Sequence, residues 1–246
     1  MSASARTLAI IPARGGSKGL PRKNTMLFSG LPLIAHSVFF ARMCPEITRC
    51  IVSTDSAEIA DVARQHGADV PFMRPGALAE DSSPLFPVLA HALAFIEAQE
   101  QTQYDYVVLL DPTSPARDPE DIRRAFARLR DVPAADGVVS VSEPSFNPIW
   151  HCVTETEGWM TELIPSGQLF ERRQDVPRVF RINGALYVWR AAFVRSLPQS
   201  WRASGKHLTC EIPELRAMSI DTLEEFRHAE LLIESGLIKL PWLNRS

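Results

Sequence analysis

Ile11-Pro-Ala-Arg-Gly-Gly-Ser-Lys-Gly-Leu-Pro-Arg-Lys-Asn24 is the stretch that decides how this chain is read. A short apolar strand, Leu8 to Ile11, runs into a loop that holds Gly15, Gly16 and Gly19 and four cations, Arg14, Lys18, Arg22 and Lys23. Glycine lets a backbone approach a ligand closely. Successive backbone N–H groups in such a loop form a concavity that favours anions. Four cations so close together repel one another without a counter-charge, and a polyphosphate supplies it. A Lys/Arg run standing alone is usually a solvated turn. Here the preceding strand and the glycines threaded through the run point to phosphate binding. The spacing matches neither Gly-x-x-x-x-Gly-Lys-Ser/Thr nor Gly-x-Gly-x-x-Gly, which excludes the two standard phosphate loops.

Working outward, apolar runs at Leu8–Ile11, Cys50–Ser53, Val70–Met73, Tyr106–Leu110 and Gly137–Val141 read as strands. Helical patterns separate them at Pro32–Met43, Ala57–His66, Pro84–Gln99 and Pro119–Arg130. Proline suits a helix start because its φ is already fixed, and Gly67 is placed to stop the second pattern. Such alternation predicts an α/β fold with a mostly parallel sheet and helices on both faces. In such sheets the loops after the strands share one edge, where ligands bind. The loops Arg14–Asn24, Ser53-Thr-Asp-Ser56 and Asp111-Pro-Thr-Ser-Pro-Ala-Arg117 are therefore expected to meet at one crevice.

Between about 142 and 181 the rhythm changes, with more proline, tryptophan and polar residues. Asn147–Gln174 reads as an excursion with hairpins, an inserted arm on a single domain spanning 1–246. Its Ile149, Trp150, Val153, Trp159, Met160, Leu163 and Ile164 are costly to leave in water, which predicts burial against the core or a second subunit. A strand resumes at Ala185–Trp189, and Thr222–Ile233 closes as an amphipathic helix with Thr222 or Asp221 near its cap.

Composition sets outer bounds. The chain has 246 residues, 46% of them hydrophobic, enough for a substantial core. Its 26 basic and 29 acidic residues show no long basic stripe, so nucleic acid is not expected as a partner. No apolar run is long enough to span a bilayer, and residues 1–7 lack the apolar region of a signal peptide, so a cytoplasmic protein without membrane partner is expected. Cys44, Cys50, Cys152 and Cys210 are scattered, as reduced and mostly buried thiols would be. The histidines show no metal-ligand or Ser-His-Asp spacing and read as structural groups.

The motifs also form an ordered set: I-I-P-A-R-G-G-S-K-G-L-P-R-K-N, then I-V-S-T-D at 51–55, L-L-D-P-T-S-P-A-R at 109–117, R-Q-D-V-P before R-I-N-G-A-L-Y at 181–187, and S-I-D-T-L-E-E-F at 219–226. Over residues 8 to about 230 this resembles the acylneuraminate cytidylyltransferases, the CMP-sialic acid synthetases. The resemblance implies a Rossmann-like nucleotidyltransferase fold with a small dimerisation excursion. It implies transfer of CMP from CTP to a nine-carbon 2-keto sugar acid, with Mg2+ and release of pyrophosphate.

By the same resemblance Arg14, Gly15, Gly16, Ser17, Lys18, Lys23, Asn24 and Arg74 are expected at the nucleotide. Lys18, Arg14 and Asp221 are the expected catalytic set. Arginine suits forked contacts with phosphate and lysine acts as a compact charge. Asp221 matches a metal-binding carboxylate. The family's second aspartate two residues earlier is replaced here by Ser219. Asp111 stands where glutamine is usual, which leaves a sugar contact or a metal ligand as its role. That change favours an acceptor other than the commonest sialic acid, with legionaminic, pseudaminic or deaminated acids as candidates. Thr113, Ser114, Arg173, Asn183 and Tyr187 match sugar-facing positions, and Arg173 is expected to reach the partner's site in a homodimer. A CMP-KDO synthetase and a non-catalytic nucleotide-binding homologue are the alternatives.

Overall fold

The computed structural model describes residues 5–16, 19–165 and 169–243. In chain order its strands are β1 (Thr7–Pro12), β2 (Leu27–Phe28), β3 (Leu31–Pro32), β4 (Arg49–Ser53), β5 (Tyr106–Leu109), β6 (Gly137–Ser142), β7 (Val153–Thr156), β8 (Trp159–Glu162), β9 (Arg181–Arg190) and β10 (His207–Glu211). The helices are α1 (Leu33–Met43), α2 (Ala57–Gln65), α3 (Leu85–Glu100), α4 (Pro119–Asp131), α5 (Pro148–His151), α6 (Ala191–Arg195), α7 (Trp201–Ser204) and α8 (Leu223–Glu234).

Six strands form one sheet in the order β10-β6-β9-β5-β1-β4. Every neighbouring pair is parallel except the two that involve β9, which runs antiparallel between β5 and β6. Strand alternation sorts β1 cleanly. Leu8 and Ile10 pack with Leu89, Leu93 and Ile96 of α3 and with α6. Ala9 and Ile11 pack on the other face with α1, α2, α4 and α8. Apolar residues fill both sides, as burial of a parallel sheet on both faces requires. The mostly parallel α/β architecture is thus observed, with helices on both faces.

Helix starts follow local chemistry. Pro32 and Pro84 precede α1 and α3. Ser56 caps α2 and accepts from the Ile59 N–H. Asp118 and Asp121 form a reciprocal capping box on α4, and Thr222 and Glu225 do the same on α8, each pair satisfying otherwise orphaned donors.

One expected strand is absent and one unexpected strand is present. Val70–Met73 is not a strand: Asp69 bridges Ile51 and Met73 bridges Thr54, with no ladder between. Pro71 sits between them and has no N–H to give. Conversely, β10 forms the edge of the sheet although His207, Thr209 and Glu211 gave no apolar run, because an edge strand need not be buried on both faces.

The excursion leaves at the end of β6 and returns in β9. It carries α5 and the hairpin β7–β8, whose turn residues Glu157 and Gly158 both have positive φ, the geometry that matches strand twist. Ile149 and Ile164 are half-buried, but the other apolar residues expected to be covered do not find burial against this chain's own core. Trp159 and Met160 are each 76% exposed, and Val153 and Leu163 are also exposed.

Candidate functional site

At the edge of the sheet a cleft of about 390 Å3 opens, lined by residues from several separate loops. Pro12 and Arg14 come from the end of β1. Gly19, Lys23 and Asn24 come from the glycine-rich loop, and Arg74 follows the segment that bridges β4. Asp111 and Thr113 follow β5, and Asp221 precedes α8. Leu78, Leu85 and Val88 supply an apolar wall beside Asp81 and Ser83. Two of the three loops expected to converge, Arg14–Asn24 and Asp111–Arg117, line the cleft, and segments carrying Arg74 and Asp221 join them. The Ser53–Ser56 loop does not line it but holds two residues that line or adjoin it, through Asp55 to the Gly15 N–H and Ser53 to Arg74.

Lys23 is only 7% exposed. Its Nζ donates to the Ile220 carbonyl at 2.8 Å and to Asp221 Oδ1 at 2.7 Å. Ser219 Oγ donates to the other oxygen of the same carboxylate at 3.0 Å. Burial pushes the Asp221 carboxyl upward, but the hydrogen bond and charge of Lys23, with Ser219, outweigh it and hold the group below the usual range. Gly19 is required for this contact: a Cβ there would sit 2.6 Å from the Asp221 carbonyl oxygen. The glycine-rich loop thus lies directly against the Asp221 segment.

Arg14 forms an ion pair with Asp81. Asn24 Nδ2 donates to the Arg14 carbonyl at 3.4 Å. The Gly15 N–H donates to Asp55 Oδ1 at 3.0 Å, so that donor is engaged inside the chain. Gly16 is exposed, and a Cβ on it would meet nothing within 4 Å. Arg74 is buried, with Nε donating to Ser53 Oγ at 3.1 Å and Nη2 donating to the Ser53 carbonyl. Burial, opposed by Asp55 and reinforced by Arg14, lowers its pKa. Ser17 and Lys18 lie outside the described residues.

Asp111 Oδ1 accepts from both the N–H and the hydroxyl of Thr113, each at 3.0 Å, an aspartate turn that fixes the start of the loop. Beneath it lies Arg117, 1% exposed. Arg117 donates to the Asp111 carbonyl at 2.5 Å, to Ser37 Oγ at 3.1 Å and to the Ala185 carbonyl. Burial pulls its pKa from 12.5 down to about 10, with Asp111 opposing. Ser114 Oγ is buried with no hydrogen-bond partner among the described residues.

The remaining sugar-facing expectations fall outside this lining. Asn183 is buried in the sheet, where Oδ1 accepts from Ser140 Oγ at 2.5 Å and Nδ2 donates to Ser142 Oγ at 2.8 Å. Its side chain braces the register shift between β6 and β9 rather than facing the cleft. Tyr187 pairs with Leu109 in the sheet, stacks on Trp189 and meets Trp201 edge-on. Burial raises its pKa, and Asp111 adds to the rise. Arg173 is exposed on the excursion, away from its own chain's cleft lining.

Gly19, Asp81, Arg117 and the apolar wall were not assigned from sequence. Arg117 had a signal, an arginine closing the Asp-Pro-Thr-Ser-Pro-Ala run, but nothing in the run revealed its burial.

Three comparisons bear on this cleft. A profile of the family described as "Cytidylyltransferase" matches residues 8–226. The chain is 40% identical over 185 residues to the CMP-N,N'-diacetyllegionaminic acid synthase of Legionella pneumophila, covering 74% of this chain and 77% of that protein. It is 28% identical over 233 residues to a pseudaminic acid cytidylyltransferase of Campylobacter jejuni, covering 92% of this chain and 96% of that protein. Its fold superposes on that of CMP:2-keto-3-deoxy-manno-octonic acid synthetase complexed with CTP at a TM-score of 0.70, with 19% identity over 94% of this chain and 100% of that one. The chain belongs to the cytidylyltransferase family.

Proposed function

We propose that this cytidylyltransferase transfers CMP from CTP to the anomeric hydroxyl of a nine-carbon 2-keto sugar acid of the nonulosonate class, with legionaminic or pseudaminic acid as the leading acceptors. The observation that carries the reading is the cleft itself: Arg14, Lys23 and Arg74 share one edge with Asp111 and Asp221. Relatives that span most of the chain and act on such acids support the acceptor class.

In this reading the acceptor hydroxyl attacks the α-phosphorus in line, and the bond to pyrophosphate breaks. Such chemistry rests on positioning and charge neutralisation. Arg14, Lys18 and Lys23 hold the triphosphate, with the Gly15–Ser17 backbone around it and Asn24 and Arg74 toward the nucleoside. Asp111, Thr113 and Ser114 face the sugar. Asp221 holds Mg2+, with Asp111 as its second candidate ligand. The fit is chemical: carboxylate oxygens in a phosphate-binding cleft are the donors Mg2+ takes, and the Asp221 side chain is 61% exposed to it. Mg2+ bound there would neutralise charge on the phosphate oxygens as pyrophosphate departs.

The active assembly in this reading is a homodimer in the cytoplasm. The exposed Trp159 and Met160 support a second copy, which would bring Arg173 to the neighbouring cleft to pair with the acceptor carboxylate. Four free cysteines, and no helix among the described residues long and apolar enough to cross a membrane, are compatible with that compartment.

The test is pyrophosphate release with CTP and Mg2+ against N-acetylneuraminate, deaminated neuraminate, legionaminate, pseudaminate and KDO. Turnover with one nine-carbon acid is expected. Turnover with KDO alone would move the chain to the eight-carbon branch. No turnover with any acid, with CTP still bound, would indicate a non-catalytic nucleotide-binding protein. In the same assay Lys18→Ala should abolish turnover while leaving the melting temperature nearly unchanged.

A further inference from the structure

The segment that carries Asp221 is fastened to the first turn of α4, directly after the loop that carries Asp111, by a charge pair outside the cleft whose carboxylate is buried and whose guanidinium is mostly so. Asp121, in the first turn of α4, is 1% exposed. Its carboxylate accepts from Arg216 Nη1 at 2.6 Å and Arg216 Nη2 at 2.9 Å, a fork-on-fork pair. It also accepts from the Asp118 N–H at 2.9 Å and from Arg124 Nη2 at 2.8 Å. The second reach of Arg216 Nη1 is to the Ala116 carbonyl at 3.4 Å, in the loop after β5. Four residues beyond Arg216, the Ile220 N–H donates to the Thr113 carbonyl at 2.9 Å. Asp221 follows. Arg117 grips the other end of the same loop through the Asp111 carbonyl.

We infer that the Asp121–Arg216 pair is a positioning device that sets where Asp221 stands relative to Asp111 and Lys23 across the cleft. Three features argue for this. A buried ion pair is on average poor at adding stability, because desolvation offsets the attraction, whereas its geometry fixes one arrangement. The bidentate fork specifies orientation as well as distance. Finally, Asp221 has a single carboxylate at its position, with Ser219 as its neighbour, so the orientation of that one group governs the charge geometry on this side of the cleft. Neither Asp121 nor Arg216 lines the cleft, so their effect on the reaction would pass through the Asp221 segment and not through the substrate.

This inference rests on the role proposed above for Asp221, and the test separates the two. Removing Arg216 alone would leave the buried carboxylate with Arg124 as its one charged partner and risk destabilising the fold. The informative variant is Asp121→Asn with Arg216→Met, which removes both charges and keeps an oxygen for the Asp118 N–H. Asp221→Asn and Arg216→Lys are measured beside it. Readouts are kcat and KM for CTP, the melting temperature, and Mn2+ binding to the substrate-free protein by electron paramagnetic resonance. The double variant is expected to lose about tenfold to a hundredfold in kcat, the scale of an ångström-sized misplacement. Its KM for CTP should stay within about threefold of the parent and its melting temperature nearly unchanged, with weaker Mn2+ binding. Arg216→Lys, which keeps the charge but loses the fork, should fall between the two. Parental kcat and Mn2+ binding in the double variant, with Asp221→Asn inactive, would overturn the positioning role and leave the site reading standing. Full activity of Asp221→Asn would instead overturn the site reading. Loss of kcat that returns on cooling, in step with folding, would show the pair to be structural only.

Discussion

Arg14, Lys23 and Arg74, the cations of the cleft, each have a carboxylate or carbonyl partner from elsewhere in the same chain, whereas the hairpin β7–β8 turns Trp159 and Met160 outward with 76% of each exposed. The two regions differ in what completes them. The cleft is charged, convergent and braced from below by the buried Arg117 and by the Asp121–Arg216 pair. The arm is locally regular, and among its described residues Trp159, Met160, Val153 and Leu163 stand exposed. A charged site must be pre-organised within the fold, because each buried ion without a partner is costly. An apolar surface can wait for a second surface, since burial against any complementary face recovers its hydration free energy.

The contrast can be broken at its strongest point by Lys23→Ala. Loss of this buried cation should cut pyrophosphate release by about a hundredfold to a thousandfold, the size of losing one pre-organised charge contact. Retention of a tenth or more of the parental rate would mean that Lys23 only braces Asp221. Next in size is the arm. Trp159→Asp with Met160→Asp should weaken self-association by about a hundredfold in analytical ultracentrifugation, from the loss of two large apolar contacts. A parent chain that is already monomeric would remove the arm's side of the comparison.

A third prediction concerns the core behind the cleft. His36 is fully buried, with Trp242 Nε1 donating to its Nδ1 and its Nε2 donating to the Phe28 carbonyl. Burial lowers its pKa from 6.5 to about 4, so the folded protein holds it neutral. Its contribution is present in full above pH 6.5. It declines as pH falls toward 4, because the unfolded chain takes up the proton first. The loss should reach about 3 kcal/mol by pH 4. Urea melts of parent and His36→Gln between pH 7 and pH 4 measure it; equal pH slopes would refute it. The smallest effect is expected from Ser219→Ala. It deletes one hydrogen bond to Asp221, worth about 1 kcal/mol, and should slow turnover by about fivefold at saturating CTP. A larger loss would assign the serine a direct part in the reaction.

Much of the cleft was legible before folding was considered. Strands β1, β4, β5 and β6 announce themselves as apolar runs, and α1 to α4 through helical spacing with proline or serine at their starts. Loops after parallel strands must share an edge, so Arg14, Lys23, Asp111 and Thr113 could be placed together. Asn183, expected at the sugar by the resemblance alone, shows what such matching leaves open: Ser140 and Ser142 on the neighbouring strand hold its side chain, and no local pattern marks which strand will lie beside β9.

The sequence by itself determined the periodicities, the caps, the glycine-rich basic loop and the resemblance that these motifs carry, because each depends on residues a few positions apart. Tertiary structure alone decided that β9 runs antiparallel between β5 and β6. It also decided that Lys23 meets Asp221 across 198 positions and that Asp121 meets Arg216 across 95. Such pairings depend on how the whole core closes. The energy of a charge pair is set by burial and by ångström-scale distance, and neither quantity exists until the chain is folded.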